Sequence, residues 1–122
     1  MGAVMESAKQ TGKTFDEKVW DLIIKVPKGK VTTYKEIANT LNIRAYRVVG
    51  MACNRSPGMP KVPCHRVVAS DGRLHGFGSG IENKRKLLDN EGIMMKKVLT
   101  ERGTDYKIEN FDSVMHYLAK RY

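Results

Sequence analysis

The chain has 122 residues, with 22 Lys+Arg against 13 Asp+Glu and a formal net charge of +9. That length suits one domain with its own core, and 41% hydrophobic residues argue against wholesale disorder. No apolar run reaches the roughly 20 residues that a membrane-spanning helix needs, so the charge points instead to a polyanionic partner, nucleic acid foremost.

The start of the chain is small, polar and mildly basic, without the apolar stretch of a secretory signal. Glu6 stands where a myristoylation signal carries Ser or Thr, which removes that reading of Gly2. Two cysteines make no disulfide framework, so a cytoplasmic, reducing compartment is expected. No repeat or low-complexity stretch interrupts the chain, and residues 1–14 are expected to be a flexible lead-in.

The first helix is predicted over Phe15–Ile24, with Phe15, Val19, Leu22 and Ile23 on one face. Thr14 and Glu17 form a Thr-x-x-Glu capping box at its start. Pro27, Lys28, Gly29 and Lys30 make a basic turn. A second box, Thr33 with Glu36, opens a short helix through Leu41 that turns Ile37, Ala38 and Leu41 inward. After Asn42, Ile43 and Arg44, a third helix is predicted over residues 45–54, burying Val49, Ala52 and Cys53. Two short helices joined by so short a turn make a helix-turn-helix candidate, whose second member presents Arg44, Arg47 and the backbone at Gly50. An all-α core contains such a pair equally well; the charge weighs toward DNA.

Pro57, Gly58, Pro60 and Pro63 are too dense for a helix, and Val67-Val68 reads as a short β element. Ser70, Asp71 and Gly72 make a turn, and residues 76–80 a glycine-rich loop. Ser79 and Glu82 predict a third capping box, opening a helix to about Asn90 that buries Leu87 and Leu88. Gly92 falls where a left-handed helix cap is expected. Residues 94–107 are basic and open between strand and loop. Residues 110–120 predict a final amphipathic helix with Phe111, Val114, Met115 and Leu118 inward.

The chemistry concentrates in Pro63-Cys64-His65-Arg66. A thiol is a useful nucleophile only as thiolate, and a nearby imidazole or cation lowers its pKa. On an extended segment neighbouring side chains point apart, so a water would have to relay a proton between Cys64 and His65. The dipeptide alone fits a buried structural cysteine beside a surface histidine equally well. Cys53, on an apolar helix face, reads as core. No paired ligand spacing links Cys53, Cys64, His65, His75 and His116, so no metal is expected. The loop at 76–80 lacks the Gly-Lys-Ser/Thr of a phosphate loop. It reads either as backbone N–H groups brought close to a ligand or as a plain connector. Glu91, taken alone, is a solvated residue at a helix end.

Together these residues resemble the O6-alkylguanine-DNA alkyltransferases, the methylated-DNA–protein-cysteine methyltransferases. The resemblance rests on Pro63-Cys64-His65-Arg66-Val67-Val68, on Thr33-Tyr34-Lys35-Glu36-Ile37-Ala38 and on Arg47-Val48-Val49-Gly50. Downstream it includes the loop at 76–80, Lys84, Leu87-Leu88 and Glu91-Gly92, and it covers residues 15–92. It implies a mainly α, winged-helix-like domain over those residues. That domain would carry a helix-turn-helix and a short β element near the active-site cysteine, with residues 93–122 packed on it as a C-terminal extension.

The resemblance further implies a monomeric DNA repair protein without cofactor, acting on double-stranded DNA that contains O6-alkylguanine. Such a base is out of reach inside a duplex and must be flipped out. Thr33 and Arg44, with the small residues Ala45, Gly50 and Ala52 that allow close approach, would then lie against the minor groove, and Arg47 would fill the vacated place in the stack. Tyr34 would help to rotate the target phosphate and then protonate the departing guanine. Cys64 as thiolate would attack the alkyl carbon in line, with His65 as general base through a water and Glu91 orienting it. Backbone groups of Cys64 and Val67 would read the guanine edge, with Phe77 and Gly78 approaching O6. The thioether product cannot be reversed by thiols, so each molecule would act once.

The chain departs from the family pattern in several places. About fourteen residues precede the first helix, so the separate N-terminal domain, and any zinc it holds, is expected to be absent. Ser56 stands at the family's hinge asparagine, with Asn54 as a nearby substitute. Phe77 replaces a common tyrosine, and Ser79 a pocket glycine, narrowing the pocket against bulky groups. Residues beyond Gly92 have no assigned counterpart. Three rivals remain: an alkyltransferase-like protein that holds the lesion without repairing it, a helix-turn-helix regulator, and a cysteine hydrolase. The first of these groups resembles the chain in size but carries tryptophan or another residue where Cys64 stands.

Overall fold

The computed structural model describes residues 13–58, 61–75 and 80–118. It is mostly helical with two small sheets. Helix α1, Phe15–Ile24, starts at the predicted box: Thr14 accepts from the Glu17 amide at 3.2 Å, and Glu17 accepts from the Thr14 amide at 2.9 Å. Its Val19, Leu22 and Ile23 are buried. Helix α2, Tyr34–Thr40, is capped by Thr33, which accepts from the Glu36 amide at 2.9 Å. The Glu36 side chain reaches elsewhere: buried at 2% exposure, it accepts from the amide of Leu118 at 2.8 Å.

The turn between the two helices of the helix-turn-helix has a local cause. Asn42 takes a left-handed conformation (φ 61°), which asparagine tolerates better than most residues. The Ile43 amide then reaches Ala38 O (2.9 Å) and the Asn42 amide reaches Asn39 O (3.1 Å), closing α2 with a Schellman motif. Helix α3, Tyr46–Asn54, follows, with Val49 and Ala52 buried and Cys53 half-buried. Trp20 Nε1 donates to Ala52 O at 2.9 Å, tying α1 to α3.

The segment at 63–66, expected to be extended, is a 3-10 turn over Cys64–Arg66, closed by Arg66 N–H to Pro63 O at 3.0 Å. Strand β2, Val67–Val68, pairs in parallel with β1, Thr32–Thr33. Successive side chains of a strand point to opposite faces, and β2 uses both. Val67 joins a core with Val19, Ile23, Ile37, Val49 and Ala52; Val68 joins a second with Val31, Leu74, Leu88, Ile93, Tyr106 and Ile108.

Helix α4, Ile81–Asn90, begins at Gly80 (φ 104°) with no side-chain cap, so Glu82 does not serve the predicted box; Ser79 lies outside the described residues. Glu82 instead accepts from Arg85 at 2.9 Å and pairs with the Tyr106 hydroxyl. At the other end Gly92 (φ 88°) does close a Schellman motif, Ile93 N–H to Leu88 O at 3.1 Å, and so fixes Glu91 as the last cap residue.

The basic segment past Gly92 is an antiparallel hairpin, β3 (Met95–Thr100) against β4 (Gly103–Ile108). Tyr106 and Ile108 of β4 sit in the second core, while Leu99 is 84% exposed. The final predicted helix is one turn only, α5 at Phe111–Val114. Beyond it the backbone is extended and pairs with Val31: Val31 N–H to Val114 O at 2.9 Å, and His116 N–H to Val31 O at 2.7 Å. Val31 is fully buried, and its amide and carbonyl require partners there. That requirement overrides the helical spacing of residues 111–118.

Candidate active site and nucleic-acid interface

The 3-10 turn presents Cys64 and His65 from adjacent positions into two different environments. Cys64, 7% exposed, has its sulfur 3.0 Å from Ser56 Oγ and 3.6 Å from the carbonyl oxygen of Cys53. Its pKa is lowered to about 7. The hydrogen bond from the Cys53 thiol is the largest cause; the Ser56 hydroxyl and the Lys84 charge add to it against burial. Cys53 shifts the opposite way, upward, because its proton is held in the bond to Cys64 and because it is buried. Of the two sulfurs Cys64 is therefore the one more readily ionised. Of the two residues considered for the hinge, Ser56 makes the contact, while Asn54 is exposed on a surface groove.

His65 is fully buried beside Glu91, with Nε2 2.8 Å from Oε2. Burial lowers the His65 pKa more than Glu91 raises it, so the ring is neutral at pH 7. An ionised carboxylate only accepts, so Nε2 carries the proton and Nδ1 the lone pair. Nδ1 is buried and has no hydrogen-bond partner among the described residues. Burial alone would raise the Glu91 pKa, but hydrogen bonds from Arg66 and His65 outweigh it and hold the carboxyl below its ordinary value. Arg66 donates to Glu91 through Nε (2.9 Å) and Nη2 (2.7 Å) and to Val26 O through Nη1 (2.9 Å). Glu91 is thus an anchored carboxylate rather than a solvated helix end.

Sequence reasoning gave no electrostatic role to Lys84 and none to Cys53. Lys84 is fully buried and donates to Val67 O (2.7 Å) and Leu74 O (2.9 Å), tying β2 to the segment before the glycine-rich loop. Burial lowers its pKa to about 8. The signal was present: Lys84 lies four residues before the buried Leu88, hence on the same helix face. Tyr34 packs by this group, its ring centroid 5.8 Å from Lys84 Nζ, and burial keeps its hydroxyl protonated well above the ordinary phenol range.

The outer face is the helix-turn-helix. Arg44, Ala45 and Arg47 are exposed, as are Tyr46 and Met51 of α3. A groove of about 690 Å3 runs along them, lined by Tyr34, Arg47, Gly50, Met51, Asn54 and His75 among others. Tyr34 belongs both to this groove and to the surroundings of the two cysteines. Two residues expected at the minor groove are not on this face: Thr33 is buried, its hydroxyl engaged in capping α2, and Ala52 is fully buried in the core. Val67 is buried beside the turn. Phe77, Gly78 and Ser79 lie outside the described residues. His75 enters that loop in a left-handed conformation (φ 59°), its amide donating to Asp105 at 3.3 Å.

Comparison with known proteins matches this arrangement to one family. The family described as 6-O-methylguanine DNA methyltransferase, DNA binding domain, matches residues 14–93. The methylated-DNA–protein-cysteine methyltransferase of Methanosarcina barkeri is 47% identical over 78 residues, covering 63% of this chain and 49% of its own. The chain spans about half the length of the curated relatives it matches. Among solved structures, S. pombe Atl1 in complex with damaged DNA containing O6-carboxymethylguanine superimposes with a TM-score of 0.70 at 32% identity. That likeness covers 84% of this chain and 94% of Atl1. It is more than residues 1–93 could fill, so it continues past Gly92, where no counterpart was expected. Mycobacterium tuberculosis OGT in complex with DNA gives a TM-score of 0.61 at 41% identity, covering 66% of this chain and 50% of OGT. The lowered thiol, its histidine–glutamate pair and the exposed helix-turn-helix are thus carried by a chain that belongs to the 6-O-methylguanine DNA methyltransferase family.

Proposed function

We propose that the protein binds duplex DNA through α3, takes an O6-alkylated guanine out of the stack and transfers the alkyl group irreversibly to Cys64. The observation that carries this reading is the lowered Cys64 thiol beside a neutral His65 whose Nε2 is held by Glu91. In this scheme Nδ1 of His65 takes the thiol proton through a water, and the thiolate attacks the alkyl carbon as the carbon–O6 bond breaks. The departing guanine takes a proton from Tyr34, whose hydroxyl carries its proton at neutral pH. Arg47, exposed at the start of α3, occupies the place of the flipped base. The thioether has no leaving group a thiol can displace, so one molecule makes one turnover.

The experiment is intact-protein mass spectrometry after mixing with duplex DNA containing O6-methylguanine. A gain of one methyl, mapped to Cys64 and never exceeding one per molecule, supports the reading. Lesion-dependent binding with no mass change favours the second reading, a lesion-binding protein without transfer. That reading draws on the fuller overlap with Atl1, described in complex with damaged DNA.

Two expectations follow from the geometry. Single-turnover transfer should rise with pH as Cys64 ionises around pH 7 and level off above it, because the thiolate is the reactive form. A rate flat across that range would remove the thiolate from the mechanism. At Gly50, an added Cβ would meet only Tyr34 Cε1 at 4.0 Å, an ordinary contact, and alanine favours a helix by about 1 kcal/mol. Gly50→Ala should therefore keep or raise the thermal midpoint while weakening duplex binding several-fold. Unchanged binding in a fluorescence titration would take the Gly50 face out of the interface.

A further inference from the structure

The mechanism makes Cys53 only a hydrogen-bond donor, yet its position carries a second chemistry. The two cysteines come from different elements, α3 and the 3-10 turn, and are 11 residues apart in sequence. Cys64 Sγ reaches the Cys53 carbonyl oxygen at 3.6 Å, so the two residues are in contact, and both cysteines are free. Cys53 is half-buried and Cys64 is buried at 7% exposure, so the pair is screened from other protein thiols and an oxidant that reaches it must be small. Ser56 contacts the Cys64 sulfur at 3.0 Å and favours its ionised form, so the pair is unequal.

We propose that Cys53 and Cys64 are a modification site in their own right, closing to an intramolecular disulfide when a peroxide oxidises Cys64 and reopening with a dithiol reductant. In the first step the Cys64 thiolate attacks one peroxide oxygen. The O–O bond breaks, and hydroxide leaves, giving a sulfenic acid. In the second step the Cys53 sulfur attacks the Cys64 sulfur as its own proton departs. The S–O bond breaks, and the oxygen leaves as water. Peroxide is the oxidant and is reduced to two waters, while the two thiols supply two electrons. Without Cys53 the sulfenic acid would continue to sulfinic acid, which thiols do not reduce. Cys53 therefore preserves Cys64 through oxidative exposure, at the cost of silencing it until it is reduced. The pairing does not depend on alkyl transfer, so either can fail without the other.

The test treats the purified chain with hydrogen peroxide, blocks remaining thiols with N-ethylmaleimide and measures intact mass and linked peptides. The expected result is a monomer lighter by about 2 Da, with no maleimide added and a Cys53–Cys64 cross-linked peptide, all reversed by dithiothreitol. The companion Cys53→Ala variant should instead gain about 32 Da on Cys64 that dithiothreitol does not remove. Its readout is the fraction of Cys64 recovered after reduction relative to its own untreated sample. A wild-type chain that gains oxygen without the cross-link, or forms disulfide-linked dimers only, overturns the proposal. Because the wild-type cross-link alone decides it, a poorly folding variant leaves the result readable.

Discussion

Replacing Cys64 by serine is expected to lower alkyl transfer by roughly 10^3-fold or more while leaving lesion-dependent DNA binding in place. The side chains differ by one atom, and Ser56 lies close enough to bond a hydroxyl as it does the sulfur, so the turn should survive. The ionisation should not. The hydrogen bonds and the Lys84 charge that bring a thiol to about 7 act on a hydroxyl whose pKa starts far higher, and it remains protonated at neutral pH. Mass spectrometry after incubation with an O6-methylguanine duplex gives the transfer; an electrophoretic shift against the unmodified duplex gives the binding. A Cys64→Ser chain that still gains a methyl elsewhere at the wild-type rate would show that Cys64 is not the acceptor.

The second large effect is expected at Glu91→Gln. The carboxylate accepts from His65 Nε2 and from two Arg66 nitrogens. An amide keeps the shape but brings its own N–H groups, which let Nε2 become the acceptor and move the ring proton to Nδ1. The lone pair that would take the Cys64 proton is then lost. Transfer should fall by roughly 10^2-fold or more, with binding nearly unchanged. Stability should fall as well, by roughly 1.5–3 kcal/mol, because Arg66 loses its charged acceptor. The folded-state pKa of Glu91 lies below the ordinary 4.5. Its contribution is therefore present above pH 4.5 and is lost as the pH drops through the folded-state value. Urea titrations of both chains at neutral and acidic pH should converge on acidification. A loss of stability without a loss of transfer would make Glu91 a structural residue only.

The parts of this molecule legible in its sequence are those fixed by neighbours in the chain. Thr14 and Thr33 cap the helices they precede, and Gly92 ends α4, because the hydrogen bonds involved span only a few residues. Phe111, Val114, Met115 and Leu118 carry helical spacing, but the partner that decides their conformation is Val31, more than 80 residues away. The site divides in the same way. Cys64-His65 stands out as a dipeptide, whereas Glu91 acquires its role from residues 25 and 26 positions upstream, and only the family resemblance pointed to it. Cys53 fits a helix's apolar face, and that pattern says nothing of Cys64, 11 residues on, which packs against it. Lys84 shares a helix face with buried Leu88, but the carbonyls that receive its charge, Val67 and Leu74, lie 17 and 10 residues upstream, beyond any local pattern.

The pairing of Val31 with the segment after α5, and of Glu36 with the Leu118 amide 82 residues on, bears on the order in which the molecule is made. During synthesis, α1 to α3 emerge first and can assemble around Ile23, Ile37 and Val49. The Val31 backbone waits for Val114 and His116, and Glu36 for the Leu118 amide, until residues 114–118 have been made. In between, a nascent chain holds its helix-turn-helix next to an unfinished edge, and the pairing that closes it is non-local and correspondingly slow. Until residue 118 has emerged that edge is open, and a chaperone that covers exposed strand edges would find its substrate in that interval.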